Sequence, residues 1–254
     1  GLVLEKELLG QEKHRVEEQA QQEALRANLL RAISHDLRTP LTSISGNAGV
    51  LMEKSIVLGE EKKQELYRAI YDDSMWLVNL TENLLSITRI ENGTMRLQME
   101  AQLLDEVFQE ALSHLDRQAA EHRIAVELPD DLLMARIDVR LIVQVIINIV
   151  NNAVKYTPAG SHILLRAEKQ GTMVAVSIAD DGPGIPEEAK AHLFDMFYTA
   201  SQGKSDNRRG LGLGLSLCRS IVSAHGGDIT VSDNHPHGAV FTFTLPLEEV
   251  DIHV

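Results

Sequence analysis

The chain has 254 residues, 44% of them apolar and only 4% aromatic, which is enough to bury a substantial core and to divide into two domains. A formal net charge of -13 excludes a nucleic-acid or anionic-membrane surface as its main partner, because so many carboxylates would repel either one. The single cysteine, Cys218, lies in the apolar run LSLCRSIV; this excludes a disulfide framework or a Cys-based zinc site and reads as a buried structural thiol.

Residues 1–28, typified by EKHRVEEQAQQEALRAN, are rich in helix formers and poor in breakers, and predict an exposed helical linker. The chain opens without methionine and without a basic stretch before an apolar one, so a piece of a longer protein lacking a signal peptide is expected. From Leu30 the residues Ile33, Leu37, Leu41, Ile44, Ala48 and Leu51 recur at spacings of three and four, a helix packing seam. After Gly59 a second series, Leu66, Ile70, Leu77, Leu80, Leu84 and Ile87, keeps helical spacing until IENGT supplies the stop. The expectation over residues 29–92 is an antiparallel helical hairpin. Its apolar stripe is too broad for its own partner helix, so two copies would pair into a four-helix bundle, giving a homodimer; packing of the hairpin onto the rest of its own chain is the alternative.

Residues 93–98 read as an interdomain hinge, and from about 99 to 254 helices alternate with strands. A helix from about Leu104 to Ala119 precedes the strand-like RIAVEL, and another runs from about Val139 to Lys155. The run LIVQVIINIV from Leu141 is the longest apolar one, about ten residues against roughly 20 for a bilayer span. The alternating segments HILLRAE and MVAVSIAD join near Gly171, a helix covers about Leu211 to Ala224, and DITVSD and AVFTFTLP form a terminal pair. Two strand pairs with three longer helices predict an α+β sandwich, a sheet covered on one face by helices.

Four segments carry candidate chemistry. In RAISHDLRTPLTSISGN, His35 points about 160° away from the centre of the apolar seam and so faces solvent. Asp36 beside it is either a surface charge or an acceptor for the imidazole Nδ1 proton that leaves Nε2 as a nucleophile, and the Thr39 hydroxyl, four residues on, shares that face. Pro40 removes the N–H that would bond back to Asp36 and predicts a loosened turn, a hinge just beyond His35. In NIVNNAVKY, Asn148, Asn152, Lys155 and Tyr156 fall within about 100° of arc beside the apolar face of Ile142, Val145, Ile146, Ile149 and Ala153. Amide oxygens suit a hard cation such as Mg²⁺ on nucleotide phosphates; side chains capping a neighbouring loop are the structural alternative.

In DDGPGIP, Asp180 stands at a strand end before Gly182 and Gly184, where backbone can approach a flat ligand and the carboxylate can accept from an exocyclic amine; an ordinary Gly/Pro turn explains the segment equally well by itself. In RRGLGLGLSL, Gly210, Gly212 and Gly214 alternate at the mouth of a helix, with Arg208 and Arg209 close by, a pattern suited to phosphate on backbone N–H groups. It lacks the Lys-Ser/Thr ending of a P-loop. The small, polar TASQGKSDN before it reads as a mobile lid.

Taken in order, SHDLRTPL, NIVNNAVKY, DDGPG, FDMF and GLGLGLS resemble the H, N, G1, F and G2 boxes of sensor histidine kinases, and the resemblance spans about Leu30 to Leu245. It implies a dimerisation and phosphotransfer hairpin followed by a Bergerat-type (GHKL) ATP-binding sandwich. Within the family, the H box and catalytic region look most like the KdpD-type potassium sensor kinases. The resemblance implies that ATP phosphorylates His35, that Asp36 orients or deprotonates it, and that Thr39 helps a water dephosphorylate the partner. It further implies that Asn148 and Asn152 hold Mg²⁺, Lys155 approaches phosphates or ribose, Tyr156 covers adenine and Asp180 reads its N6. Gly182, Gly184, Gly210, Gly212 and Gly214 would admit the nucleotide close to backbone, with Arg209 a phosphate contact and Phe194 and Phe197 supporting the lid. The implied partners are a second copy and a response regulator receiver domain, KdpE-like for the narrower resemblance, with membrane contact only through upstream segments of a plasma-membrane sensor whose catalytic portion is cytoplasmic. Two other classes fit parts of the pattern: a Bergerat ATPase clamp and a dimeric signalling scaffold without histidine phosphorylation.

Overall fold

The computed structural model describes residues 33–34, 37–53, 58–91, 96–115, 117–129, 131–199 and 212–249. The chain forms two compact units whose boundary lies between Thr81 and Glu82. The predicted linker over 1–28 and the lid segment TASQGKSDN, apart from its first residue, lie outside the described residues, as do residues 93–95 of the 93–98 hinge.

The first unit is helical. Helix α1 runs through residues 37–52 without interruption at Pro40, which is buried, while Leu41 is 53% exposed. This corrects the predicted seam. Averaged over Ile33, Leu37, Ile44, Ala48 and Leu51, the stripe direction lies nearer Pro40, and Leu41 falls on its margin. Of the turn expected to be loosened between Asp36 and Pro40, residues 37–40 are helical, while Asp36 lies outside the described residues. Thr42 Oγ1 donates to the Arg38 carbonyl at 2.7 Å, satisfying a second time an acceptor near the proline. Helix α2 spans Glu60–Glu91. Leu66, Ile70, Leu77, Leu80, Leu84 and Ile87 are buried or half-buried along one face, and Tyr67, Tyr71, Met75, Val78 and Leu85 are exposed along a second stripe.

The second unit is a seven-stranded sheet in the order β1-β3-β7-β5-β4-β2, with β6 also paired to β7. The strands are β1 Glu100–Leu103, β2 Arg123–Glu127, β3 Met134–Ile137, β4 His162–Gln170, β5 Met173–Asp180, β6 Ile229–Asp233 and β7 Ala239–Glu248. All neighbours are antiparallel except β2 and β4. Strand β7 is the organiser: one edge pairs with β5 over its length, and the other pairs first with β6 and then, at Leu247 and Glu248, with β3. It alternates buried Ala239, Phe241, Phe243 and Leu245 with half-exposed neighbours, the signature of a sheet with one covered face.

Helices α3 (Leu104–Ser113), α4 (Val139–Tyr156) and α6 (Gly214–Ala224) supply the cover, with α4 packed between the other two. Nine residues of α4 are buried, and the large aliphatic ones, such as Ile142, Val145, Ile146 and Ile149, each contribute about 1.5–3 kcal/mol of apolar burial. The predicted helix to Ala119 ends at Ser113 and gives way to a 3₁₀ turn at Arg117–Glu121. The four-residue helix α5, Glu187–Lys190, follows the β5 end. Among the described residues no helix is long and apolar enough to cross a membrane.

Candidate functional site

The site is built where β5 and α4 end side by side. Asp180, the last residue of β5, is 8% exposed, and its Oδ1 accepts the Gly182 N–H at 2.9 Å and the Ala239 N–H at 3.3 Å. Burial pushes this carboxyl above the usual 3.8; the two backbone N–H groups oppose the rise and the neighbouring Asp181 adds to it. One N–H-anchored carboxylate oxygen leaves Oδ2 to meet a donor, as recognition of an exocyclic amine requires.

The space around Asp180 is made by residues that lack bulk. A Cβ on Gly182 would stand 2.6 Å from Thr157 Cγ2 and 2.9 Å from Asp180 Oδ1. Thr157 ends α4; its hydroxyl donates to the Ala153 carbonyl at 2.8 Å, which turns the methyl toward the glycine. From the other side the β6–β7 turn closes in. Asn234 Nδ2 donates to the Asp180 carbonyl at 2.7 Å, Gly238 at φ 115° presses its backbone on the same oxygen, and a His237 ring nitrogen lies 3.2 Å from the Gly182 carbonyl. Gly184, at φ 77°, faces the Gly238 carbonyl. Neither Thr157 nor this turn stands out in the sequence. A threonine directly after the Asn-rich helix and a glycine in NHPHG were the available signals.

Along α4, Asn148 and Asn152 are one turn apart and half-buried, and Lys155 Nζ sits 5.0 Å from the centroid of the half-exposed Tyr156 ring. A Cβ on Gly214, the first residue of α6, would come 4.0 Å from Asn148 Cγ, so the asparagine edge and the glycine-rich helix start are brought together. Gly212 adopts φ 65° with its backbone against Phe197 and Tyr198, and Phe197 N–H donates to its carbonyl at 3.2 Å. Phe194 packs edge-on against Phe241 of the sheet, 6.4 Å between ring centroids. The FDMF segment thus ties the root of the glycine loop to the core.

Of the other predicted positions, Thr39 is exposed on α1, while His35, Asp36, Arg208, Arg209 and Gly210 lie outside the described residues. Among the described residues no group of three or more His, Cys, Asp or Glu side chains could hold a metal. The oxygen donors at the site are instead the amides of Asn148 and Asn152. The Asn148 Nδ2 is sealed from solvent without a hydrogen-bond partner among the described residues, and it is the oxygen end of such an amide that suits a hard cation with phosphate and water as further ligands.

Comparison with known proteins agrees with this arrangement. The profile described as "His Kinase A (phospho-acceptor) domain" matches residues 25–93, and that described as "Histidine kinase-, DNA gyrase B-, and HSP90-like ATPase" matches residues 137–249. The "Sensor protein KdpD" of Clostridium acetobutylicum is 41% identical over 97% of this chain, which spans 27% of that relative's length. The catalytic domain of the histidine kinase ThkA is 33% identical, with a TM-score of 0.51, over 59% of this chain and 95% of its own. The structure of ThkA in complex with the response regulator protein TrrA is similar with a TM-score of 0.67 at 29% identity, over 87% of this chain and 61% of that one. Ordered boxes, a one-face-covered sheet and these matches converge: the chain belongs to the sensor histidine kinase family, with a core of the KdpD type.

Proposed function

We propose that the chain is an ATP-dependent protein-histidine kinase core that phosphorylates its own His35, passes the phosphoryl group to an aspartate of a response regulator and also dephosphorylates that regulator. The single observation that carries the nucleotide half of this reading is the buried Asp180 carboxylate, held by Gly182 and Ala239 N–H groups in a space that one added Cβ would fill. In this reading Asp180 accepts from the adenine N6 amine, Tyr156 covers the ring, and Gly182 and Gly184 let backbone lie close to it. Lys155 approaches phosphates or ribose. Gly210, Gly212 and Gly214 open the α6 N-terminus to phosphate with Arg209 as an added charge. Asn148 and Asn152 hold Mg²⁺, which when bound neutralises charge on the phosphates.

The chain's own chemistry is then short. Neutral His35 Nε2 attacks the γ-phosphorus; the N–P bond forms as the bond to the β-γ bridging oxygen breaks, and ADP departs with that electron pair. Asp36 holds the Nδ1 proton and so keeps Nε2 unprotonated, and an ordinary imidazole is already largely neutral at cell pH. The second acceptor is a receiver aspartate, and Thr39 orients the water for the reverse, hydrolytic step on that partner. Support for a regulator partner comes from ThkA, whose similar structure is of a complex with its response regulator TrrA. A KdpE-like regulator and upstream membrane spans of a longer sensor accord with the KdpD relatives. The exposed stripe of Tyr67, Tyr71, Met75, Val78 and Leu85 on α2 supports a homodimeric helical bundle over residues 29–92, with the hinge at 93–98 and the ATP-binding domain over 99–254.

The test is incubation of the chain with γ-labelled ATP and Mg²⁺ beside a His35→Gln variant. Acid-labile, base-stable label on the protein, lost in the variant, is the expected result. Hydrolysis of ATP with no label on the protein would instead mark an ATPase clamp, and neither label nor hydrolysis a scaffold.

A further inference from the structure

Asp138 stands where the chain that leads into β1 meets two helices. Strands β1 and β3 pair from Leu103 opposite Met134 to Glu100 opposite Ile137, and the ladder ends there because the chain turns from β3 into α4. Asp138 is the N-cap of α4 and only 4% exposed, yet its side chain makes no cap hydrogen bond to that helix. A capping aspartate ordinarily accepts from the second or third N–H of its own helix. Here Oδ2 accepts the Gln98 backbone N–H instead, at 3.1 Å and from 40 residues back in the chain. The main chain of Asp138 is used elsewhere: its N–H donates to His225 Nε2 at 3.0 Å, and its carbonyl accepts the Ile142 N–H at 3.1 Å. One buried residue therefore joins the end of α6, the start of α4 and the segment leading into β1.

We propose that Asp138 is a positioning residue for phosphoryl transfer: its carboxylate fastens Gln98 to the N-cap of α4, so that the hinge ends before Gln98 and the ATP-binding domain is tethered through the helix that carries its asparagine edge. The carboxylate stands in for a missing strand acceptor. Past Ile137 the carbonyls bond along α4, beginning with Asp138 to Ile142, and a side chain reaching back extends the hold on the incoming chain two residues beyond Glu100. Gln98 itself is exposed; it is held by its main chain, so the tether does not depend on which side chain stands there. Asn148 lies ten positions on, about 15 Å along α4 from Asp138. A rigid helix tethered at one end sets where its other end is carried, and in-line transfer is slowed by misplacements of about an ångström. This inference rests on the readings of residues 93–98 as the hinge and of His35 as the phosphoryl acceptor.

The experiment compares the full chain as wild type, Asp138→Ala, Asp138→Ser and Asp138→Asn. It reads amide hydrogen exchange at Gln98 by NMR, the rate of His35 labelling at saturating γ-labelled ATP and Mg²⁺, and ADP affinity by titration calorimetry. Asparagine keeps an oxygen of the same reach. Serine can cap α4 but is too short to reach Gln98, so it removes the tether while sparing the helix, and it decides the question if the alanine variant does not fold. The expected result is that the alanine and serine variants lose protection at Gln98 and label about tenfold more slowly with ADP affinity unchanged, while the asparagine variant stays near wild type in all three. A residue that only stabilises the domain leaves Asp138→Ser at the wild-type rate under saturating ATP, and that outcome overturns the proposal. Unchanged Gln98 exchange in the alanine and serine variants overturns it too, as does an asparagine variant as slow as alanine. A wild-type chain that takes no label at His35 overturns the kinase reading instead, and exchange at Gln98 still decides whether the tether exists.

Discussion

The methyl group of Thr157 occupies the volume that any side chain at Gly182 would need: a Cβ there would lie 2.6 Å from Thr157 Cγ2. The end of α4 and the loop after β5 are therefore fitted to each other without slack, and the Asp180 carboxylate is the third member of the contact, 2.9 Å from the same point. Replacing Gly182 with alanine is expected to cost about 1–3 kcal/mol of stability by overpacking and to weaken nucleotide binding through displacement of Asp180. Adding Thr157→Ser removes the clashing methyl and should recover part of both. A double-mutant cycle by urea denaturation and nucleotide titration checks the coupling.

Asp180→Asn separates recognition from stability. The amide oxygen of the asparagine can still accept from Gly182 and Ala239, but the charge-assisted acceptor for an amine is gone, so nucleotide affinity should fall by about tenfold or more. Stability should move the other way. Burial raises the Asp180 pKa in the folded state, so the folded chain holds the proton longer than the unfolded one, and stability is lost as pH rises through the raised value. An asparagine does not ionise; the variant should be more resistant to urea than wild type at neutral pH, and the advantage should vanish below the ordinary 3.8. Equal urea midpoints at both pH values would refute the burial argument.

The next residue behaves oppositely. Burial pushes the Asp181 carboxyl up, but the His162 backbone N–H at 2.9 Å and its ring nitrogen at 3.0 Å outweigh that and hold it below its usual value. Its contribution is present above 3.8 and is lost as pH falls through the lowered pKa. His162→Ala should accordingly destabilise the chain at neutral pH by an amount that shrinks on acidification, read from urea midpoints at stepped pH.

His225 is a structural part with no place in the proposed chemistry. It is 3% exposed, its Nδ1 donates to the Ile221 carbonyl at 2.8 Å and its Nε2 accepts the Asp138 N–H at 3.0 Å, joining the end of α6 to the start of α4. Truncation to alanine orphans the Asp138 N–H, about 1–3 kcal/mol, and opens a cavity in addition. Glutamine, whose side-chain oxygen reaches about as far as Nε2, should retain more stability than asparagine. Thermal melts of the three variants give the ranking.

Sequence periodicity made the long elements legible and the short ones invisible. The eighteen residues of α4 hold five turns of apolar repeat, and β4, β5 and β7 alternate over eight to ten residues, so their identity was overdetermined. EAQL and MARI offer a single alternation each, and they become strands β1 and β3 only because each pairs with the other and β3 reaches the end of β7. The helix expected to reach Ala119 stops six residues early, where HLDR breaks the pattern that the apolar count had averaged over. In the site, Asp180, Gly182 and the asparagine edge were visible as residue types at strand and helix ends. The partners that shape them, Thr157, Asn234 and Gly238, come from 23 residues upstream and more than 50 downstream of Asp180, distances that no local pattern spans.

The tie between the β6–β7 turn and Asp180 has a consequence for how the protein fails. The turn belongs to the last hairpin of the described chain, and fraying begins at such edges before the interior gives way. That hairpin holds Asp180 twice, Asn234 at its backbone carbonyl and the Ala239 N–H at its carboxylate; under the proposed role of Asp180 in reading the base, warming is expected to cost ligand selectivity first, with a nucleotide-binding signal declining while circular dichroism still reports an intact sandwich. The apparent surface loop is in this sense the thermal fuse of the whole catalytic domain.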